Sequence, residues 1–219
     1  MAGNPKAELP LTLQPGAPAP DFTLPAIHTD GTLSLAQYRG QSPVLLAMFR
    51  GLYCPFCRRG IAQLGMTAGK LKARGVETLA VVATEVERAR LYFRYRPTRL
   101  SLAADPAMSM LRAFRVPKPE MTPEMEQAIR TTPVNPTGEL PEAKPIHDVA
   151  NALDQRDGFE WTQTDNEDAE RQFPQLVGQF LLDRTGIIRW VNIEGAEGLG
   201  GLGKFPTDEE FLAAAARVS

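Results

Sequence analysis

The chain has 219 residues, 43% hydrophobic and 23% charged, with a formal net charge of −2. That balance suits one large globular domain with a full core. It gives no basic surface for nucleic acid or an anionic membrane, and no run is long and apolar enough to span a bilayer, so neither is expected as a partner.

Residues 1–18 are rich in Pro and Ala and lack the apolar segment of a secretory signal. They read as a flexible N-terminal arm before a domain over 19–219, and a cytoplasmic location is expected. Residues 22–24 and 32–35 flank an Asp30-Gly31 turn, the signal of a short β-hairpin. Val44 to Phe49 is a continuous apolar run, which suits a central strand buried on both faces. Cys54, Cys57, Ile61, Leu64, Ala68 and Leu71 then recur at spacings of three and four, one face of an α-helix. Pro55 fits the first helical position, which puts Cys54 at or near the N-cap.

Farther on, 78–84 reads as a second buried strand, 85–95 as a helix ended by Pro97, 100–103 as a strand and 106–114 as a short helix. Residues 179–183 and 187–193 form a hairpin across Arg184-Thr185-Gly186. A last helix spans 206–216, with Thr207 or Asp208 as N-cap. Alternating strands and helices define an α/β sheet, with the late hairpin adding an antiparallel edge. Residues 115–174, punctuated by Pro, break this rhythm and read as an insertion of the lid or mobile kind, with helices over 121–131 and 146–155. Arg88, Arg90, Arg94 and Arg96, and the acids over 165–170, read as solvated helix faces. Trp161 and Trp190 read as packing residues.

The only two cysteines are Cys54 and Cys57. On a helix at this spacing their α-carbons lie about 5–6 Å apart, within disulfide range. A cytosolic chain keeps thiols reduced, so such a pair reads as redox-active or metal-binding. Zinc needs about four ligands; besides the cysteines there are only His28 and His147, without finger spacing, so no metal or other cofactor is expected. At a helix N-terminus the thiolate is stabilised by partial positive charge and free N–H groups. Cys54 is therefore expected to be the exposed, activated nucleophile and Cys57 the more buried resolving thiol, with Arg50, Tyr53 and Arg58 as supporting candidates. The Gly-rich run 195–204 lacks the Ser or Thr that a phosphate loop needs after Lys204 and reads as a flexible loop. His147 has no spacing that ties it to the cysteines.

Residues 15–25, Asp30-Gly31, Leu35, Tyr38-Arg39-Gly40, Pro43 to Phe49 and Cys54 together resemble the alkyl hydroperoxide reductase/thiol-specific antioxidant family, the peroxiredoxin branch of the thioredoxin-like fold. Leu102 to Pro106 with Phe114, and Phe180 to Gly186, resemble its second and third landmarks. The resemblance implies a central mixed sheet flanked by helices, an antioxidant enzyme, an external thiol reductant such as a thioredoxin or glutathione system, and a homodimer. The sequence also departs from the family. Gly51 and Ala47 stand where peroxiredoxins carry a Thr and a Pro before the reactive cysteine. Val177 stands where they carry an Arg and where thioredoxins carry a cis-proline. The Cys-Pro-Phe-Cys run itself resembles a thioredoxin-type pair. Two enzymatic readings therefore stand side by side, thiol peroxidase and thiol–disulfide oxidoreductase. A third reading is a non-catalytic module that binds through the cleft and the 115–174 insertion.

Overall fold

A computed structural model describes residues 12–218. Most of the expected arm, residues 1–11, lies outside the described residues. The rest of it, 12–18, runs along the sheet: the Gly16 N–H donates to the Ile188 carbonyl at 2.8 Å, and Pro18 bridges to Ile187.

The hairpin β1 (Thr23–Pro25) and β2 (Thr32–Ser34) is followed by β3 (Val44–Phe49), α1 (Pro55–Lys72), β4 (Glu77–Val82), α2 (Val86–Tyr95), β5 (Ser101–Ala104) and α3 (Ser109–Ala113). The insertion contributes α4 (Pro123–Thr131), β6 (Pro133–Val134), β7 (Lys144–Pro145), α5 (Ile146–Asp157) and α6 (Gln163–Gln172). Strands β8 (Gly178–Leu182) and β9 (Ile188–Ile193) and helix α7 (Asp208–Ala215) complete the chain.

The main sheet has the order β5-β4-β3-β8-β9, with β3 parallel to β4 and antiparallel to β8. Every residue of β3 is buried because both faces of the sheet are covered. Alternate side chains serve the two faces. Leu45, Ala47 and Phe49 join a core that includes residues of α1, α2, α5 and α7; Val44, Leu46 and Met48 join one formed with the N-terminal hairpin, α3, Phe114 and Phe180. This is the mixed, thioredoxin-like α/β sheet expected from the sequence. No helix among the described residues is long and apolar enough to cross a membrane.

The insertion is more ordered than its prolines suggest. It forms three helices and a two-stranded ladder, and Val134, Val149 and Leu153 enter the same core as both cysteines. Helix α6 corrects the expectation of a solvated acidic face. Asp165 and Asp168 are buried, and Arg88 on α2, also expected in solvent, pairs with Asp165 at 2.7 Å.

Candidate active site

Strand β3 ends in the loop Arg50 to Tyr53, and Cys54 is the N-cap of α1 with extended backbone (φ −80°, ψ 110°) and Pro55 at the first helical position. The Cys57 N–H donates to Cys54 Sγ at 3.2 Å, so the sulfur occupies the place where a capping oxygen ordinarily sits. Both cysteines are free thiols. Cys57 is wholly buried, as expected for the inner residue, but Cys54 is buried too, only 4% exposed, which corrects the expectation of an exposed nucleophile. The Gly-rich loop after β9 folds onto the first turn of α1, so closely that a Cβ on Gly203 would stand 2.8 Å from Phe56 and 2.9 Å from Pro136 of the insertion. Phe205 stacks on Phe49, ring centroids 5.3 Å apart.

Of the three supporting candidates, Arg50 reaches the Cys54 sulfur. Its Nη2 donates to Cys54 Sγ at 3.4 Å and to Glu194 Oε1 at 2.9 Å, while Nη1 donates to the Gln175 carbonyl at 2.9 Å. Burial pushes the Cys54 thiol up, but a hydrogen bond from the Cys57 thiol, the Arg50 charge and the Cys57 N–H together pull it down to about 6. Burial and the hydrogen bond given to Cys54 push the Cys57 thiol well above its ordinary value. The two thiols are thus set apart: an anion at Cys54 and a protonated partner at Cys57.

Tyr53 borders the pair. Its hydroxyl is buried without a hydrogen-bond partner, and its ring lies 6.0 Å from Trp161. Arg58 faces elsewhere. It donates to the Leu52 carbonyl at 2.8 Å, pairs with Asp154 and Asp157, and lies 3.8 Å from the centre of the Phe159 ring. Its place is to tie the cysteine loop to α5. Arg58→Met would strand Asp154 in the interior, and a loss of roughly 3–5 kcal/mol in urea unfolding is expected. His147 is exposed and packs near Phe173, apart from the sulfurs.

The loop before Cys54 is held from beneath by residues that sequence reasoning missed. Gln172 of α6 accepts from the Gly51 N–H at 2.6 Å, and Thr84 Oγ1 accepts from the Leu52 N–H at 3.0 Å while donating to Asp168 at 2.9 Å. The only sequence hint of α6 is its capping box, Thr162 with Asp165. This cradle explains why glycine stands at position 51. A Cβ there would lie 2.9 Å from Tyr53, 3.0 Å from Asp168 and 3.1 Å from Thr84. Gly51→Thr, which restores the family residue, is therefore expected to destabilise the fold by about 1–3 kcal/mol, as overpacking does, rather than to raise activity. Thermal unfolding beside an activity assay checks this. Val177, at the position of the family Arg, is fully buried, and its carbonyl accepts from the Glu194 N–H; the cis peptide bond lies upstream, at Phe173-Pro174.

The sheet, with a reduced cysteine pair at the head of α1, defines a thioredoxin-like thiol protein. Residues 15–140 match the AhpC/TSA family model, and the chain belongs to that family. Solved structures share the fold at low identity. Peroxidoxin BcpB from Mycobacterium tuberculosis is 14% identical with a TM-score of 0.57, over 94% of this chain and 96% of that one. Reduced 2-Cys peroxiredoxin from Plasmodium vivax is 16% identical with a TM-score of 0.56, over 92% and 79%. A protein from Chlorobium tepidum assigned as thiol:disulfide interchange protein DsbE is 20% identical with a TM-score of 0.51, over 93% and 99%. No curated protein matches the sequence.

Proposed function

We propose that the protein is a thiol-dependent peroxidase in which Cys54 is the nucleophile and Cys57 the resolving thiol. The observation that carries this reading is the buried Arg50 guanidinium 3.4 Å from a Cys54 sulfur that also caps α1. It supplies, from the end of β3, the positive charge that the family draws from the position of Val177. The Cys54 thiolate attacks one oxygen of a hydroperoxide; the O–O bond breaks, the sulfur becomes a sulfenic acid, and the departing oxygen leaves as an alcohol or water after taking a proton. Cys57 then attacks Cys54, expelling water and forming the disulfide. Two thiols of an external reductant, such as a thioredoxin or glutathione, restore the dithiol and leave as a disulfide. Burial of Cys54 favours a small peroxide over a bulky protein disulfide. The Cys-x-x-Cys spacing supports a second reading, thiol–disulfide oxidoreductase.

Stopped-flow mixing of the reduced protein with hydrogen peroxide, an organic hydroperoxide or a small disulfide separates the two. The peroxidase reading expects the peroxides to oxidise the pair faster. Oxidation by disulfides alone overturns it in favour of the oxidoreductase. Inertness to all of them sinks both and leaves a non-catalytic binding module.

A further inference from the structure

Glu194 lies just past the end of β9, with its side chain 1% exposed. Its Oε1 accepts from Arg50 Nη2 at 2.9 Å and from the Gly203 N–H at 2.7 Å. Its Oε2 is buried without a hydrogen-bond partner, as is Arg50 Nε. Arg50 therefore stands between two anions, the Glu194 carboxylate and the Cys54 thiolate. The peroxidase cycle needs Arg50 but gives Glu194 no task, and the unpartnered Oε2 leaves part of the desolvation cost of this buried carboxylate unrepaid.

The use follows from the charge balance. While the pair is reduced, the Arg50 cation is divided between sulfur and carboxylate, and Glu194 opposes the thiolate form of both cysteines. When the Cys54–Cys57 bond forms, the thiolate charge disappears and Arg50 is left to Glu194 alone. The other titratable groups facing the sulfur are Tyr53 from the same loop and Cys57 from α1; Asp168, from α6, acts electrostatically on Tyr53.

We propose that Glu194 is a positioning residue that competes with the Cys54 sulfur for Arg50 and thereby stabilises the Cys54–Cys57 disulfide relative to the dithiol. This rests on the reading that the pair cycles between those two states. The exchange it biases is the disulfide plus two glutathione thiols giving the dithiol plus glutathione disulfide; two electrons and two protons pass to the protein. A residue that weakens the thiolate makes the reduced form less favourable, hence the pair more reducing.

Glu194→Gln keeps an oxygen for Arg50 and Gly203, removes the charge and turns the unpartnered Oε2 into an NH2 group. Two quantities are measured: the ultraviolet thiolate absorbance of Cys54 against pH, and the dithiol-to-disulfide ratio in glutathione redox buffers, read by thiol trapping and mass spectrometry. Glu194→Gln should titrate at lower pH than wild type, with the dithiol-to-disulfide ratio raised about tenfold, a shift of about 30 mV for a two-electron couple. Glu194→Asp, which keeps the charge, should stay close to wild type in both. A Gln variant with the wild-type titration and ratio overturns the proposal. So do Gln and Asp variants that shift alike, because geometry rather than charge would then be responsible. A wild-type protein that never forms the disulfide in these buffers fails the cycling reading instead, and that failure is visible before any variant is compared.

Discussion

Cys57→Ser should convert a turning-over enzyme into one that reacts once. The first peroxide still meets the Cys54 thiolate, because the N–H of residue 57 still caps the sulfur and Arg50 still donates to it. The sulfenic acid then has no thiol one helical turn away, so the disulfide cannot form within the chain. Steady-state peroxide consumption driven by a thioredoxin or glutathione system should fall to background. A single stoichiometric burst should remain, ending in a sulfenic acid that a dimedone-type reagent traps on Cys54. Further peroxide should carry that sulfur irreversibly to sulfinic acid. Cys54→Ser should lose the burst as well, since a serine hydroxyl is not ionised in the neutral range and Cys57 is held protonated.

Arg50→Met should slow Cys54 oxidation at neutral pH, by at most about two orders of magnitude if the thiol returned all the way to its ordinary value. With the thiol near 6, about nine-tenths of Cys54 is thiolate at neutral pH; if it returned to its ordinary value of 9.0, about one part in a hundred would be. The sign is set by the balance at the site. Burial raises the thiol, the hydrogen bonds from Cys57 and the Arg50 charge oppose it, and loss of the guanidinium removes part of that opposition, so the thiol rises. The oxidation rate of the wild type should rise through a midpoint near pH 6 and level off above it, and the variant's midpoint should move to higher pH. The substitution also strands Glu194 in the interior, at a cost of about 3–5 kcal/mol. The double variant Arg50→Met/Glu194→Gln removes that burden, and the rate loss should persist in it. Full recovery in the double variant would mean that Arg50 acts on stability and not on the sulfur.

What the sequence disclosed, and what it hid, follows from the range of each interaction. The Cys54 cap is legible because it is local: Pro55 at the first helical position and the three-four spacing from Cys54 to Leu71 fix the start and the inner face of α1 together. β3 is legible because a strand covered on both faces must be apolar throughout. Helix α6 is not legible, because its buried face carries Asp165, Asp168 and Gln172 instead of a hydrophobic stripe, and a reading built on apolar periodicity passes over it. The Arg50–Glu194 pair joins residues 144 positions apart, and nothing in the Ile193-Glu194-Gly195 run marks its partner. Burial of Cys54 was hidden for the same reason, since it depends on tertiary packing and not on the local run. Position 51 is intermediate: the missing Thr is visible in the sequence, but the crowding that excludes it comes from Thr84 and Asp168.

In the proposed cycle, peroxide passes through an activated Cys54 into a Cys54–Cys57 disulfide. This cycle is tested most directly by mixing reduced protein with one equivalent of hydrogen peroxide at neutral pH, quenching with an alkylating agent over a time course, and mapping residues 54–57 by mass spectrometry. The account predicts a peptide two hydrogens lighter than the dithiol, unalkylated at both positions, formed in step with peroxide loss and reversed by a thiol reductant. Two alkylated cysteines after the peroxide has been consumed elsewhere, or Cys54 accumulating as sulfinic acid beside an alkylated Cys57, would contradict it.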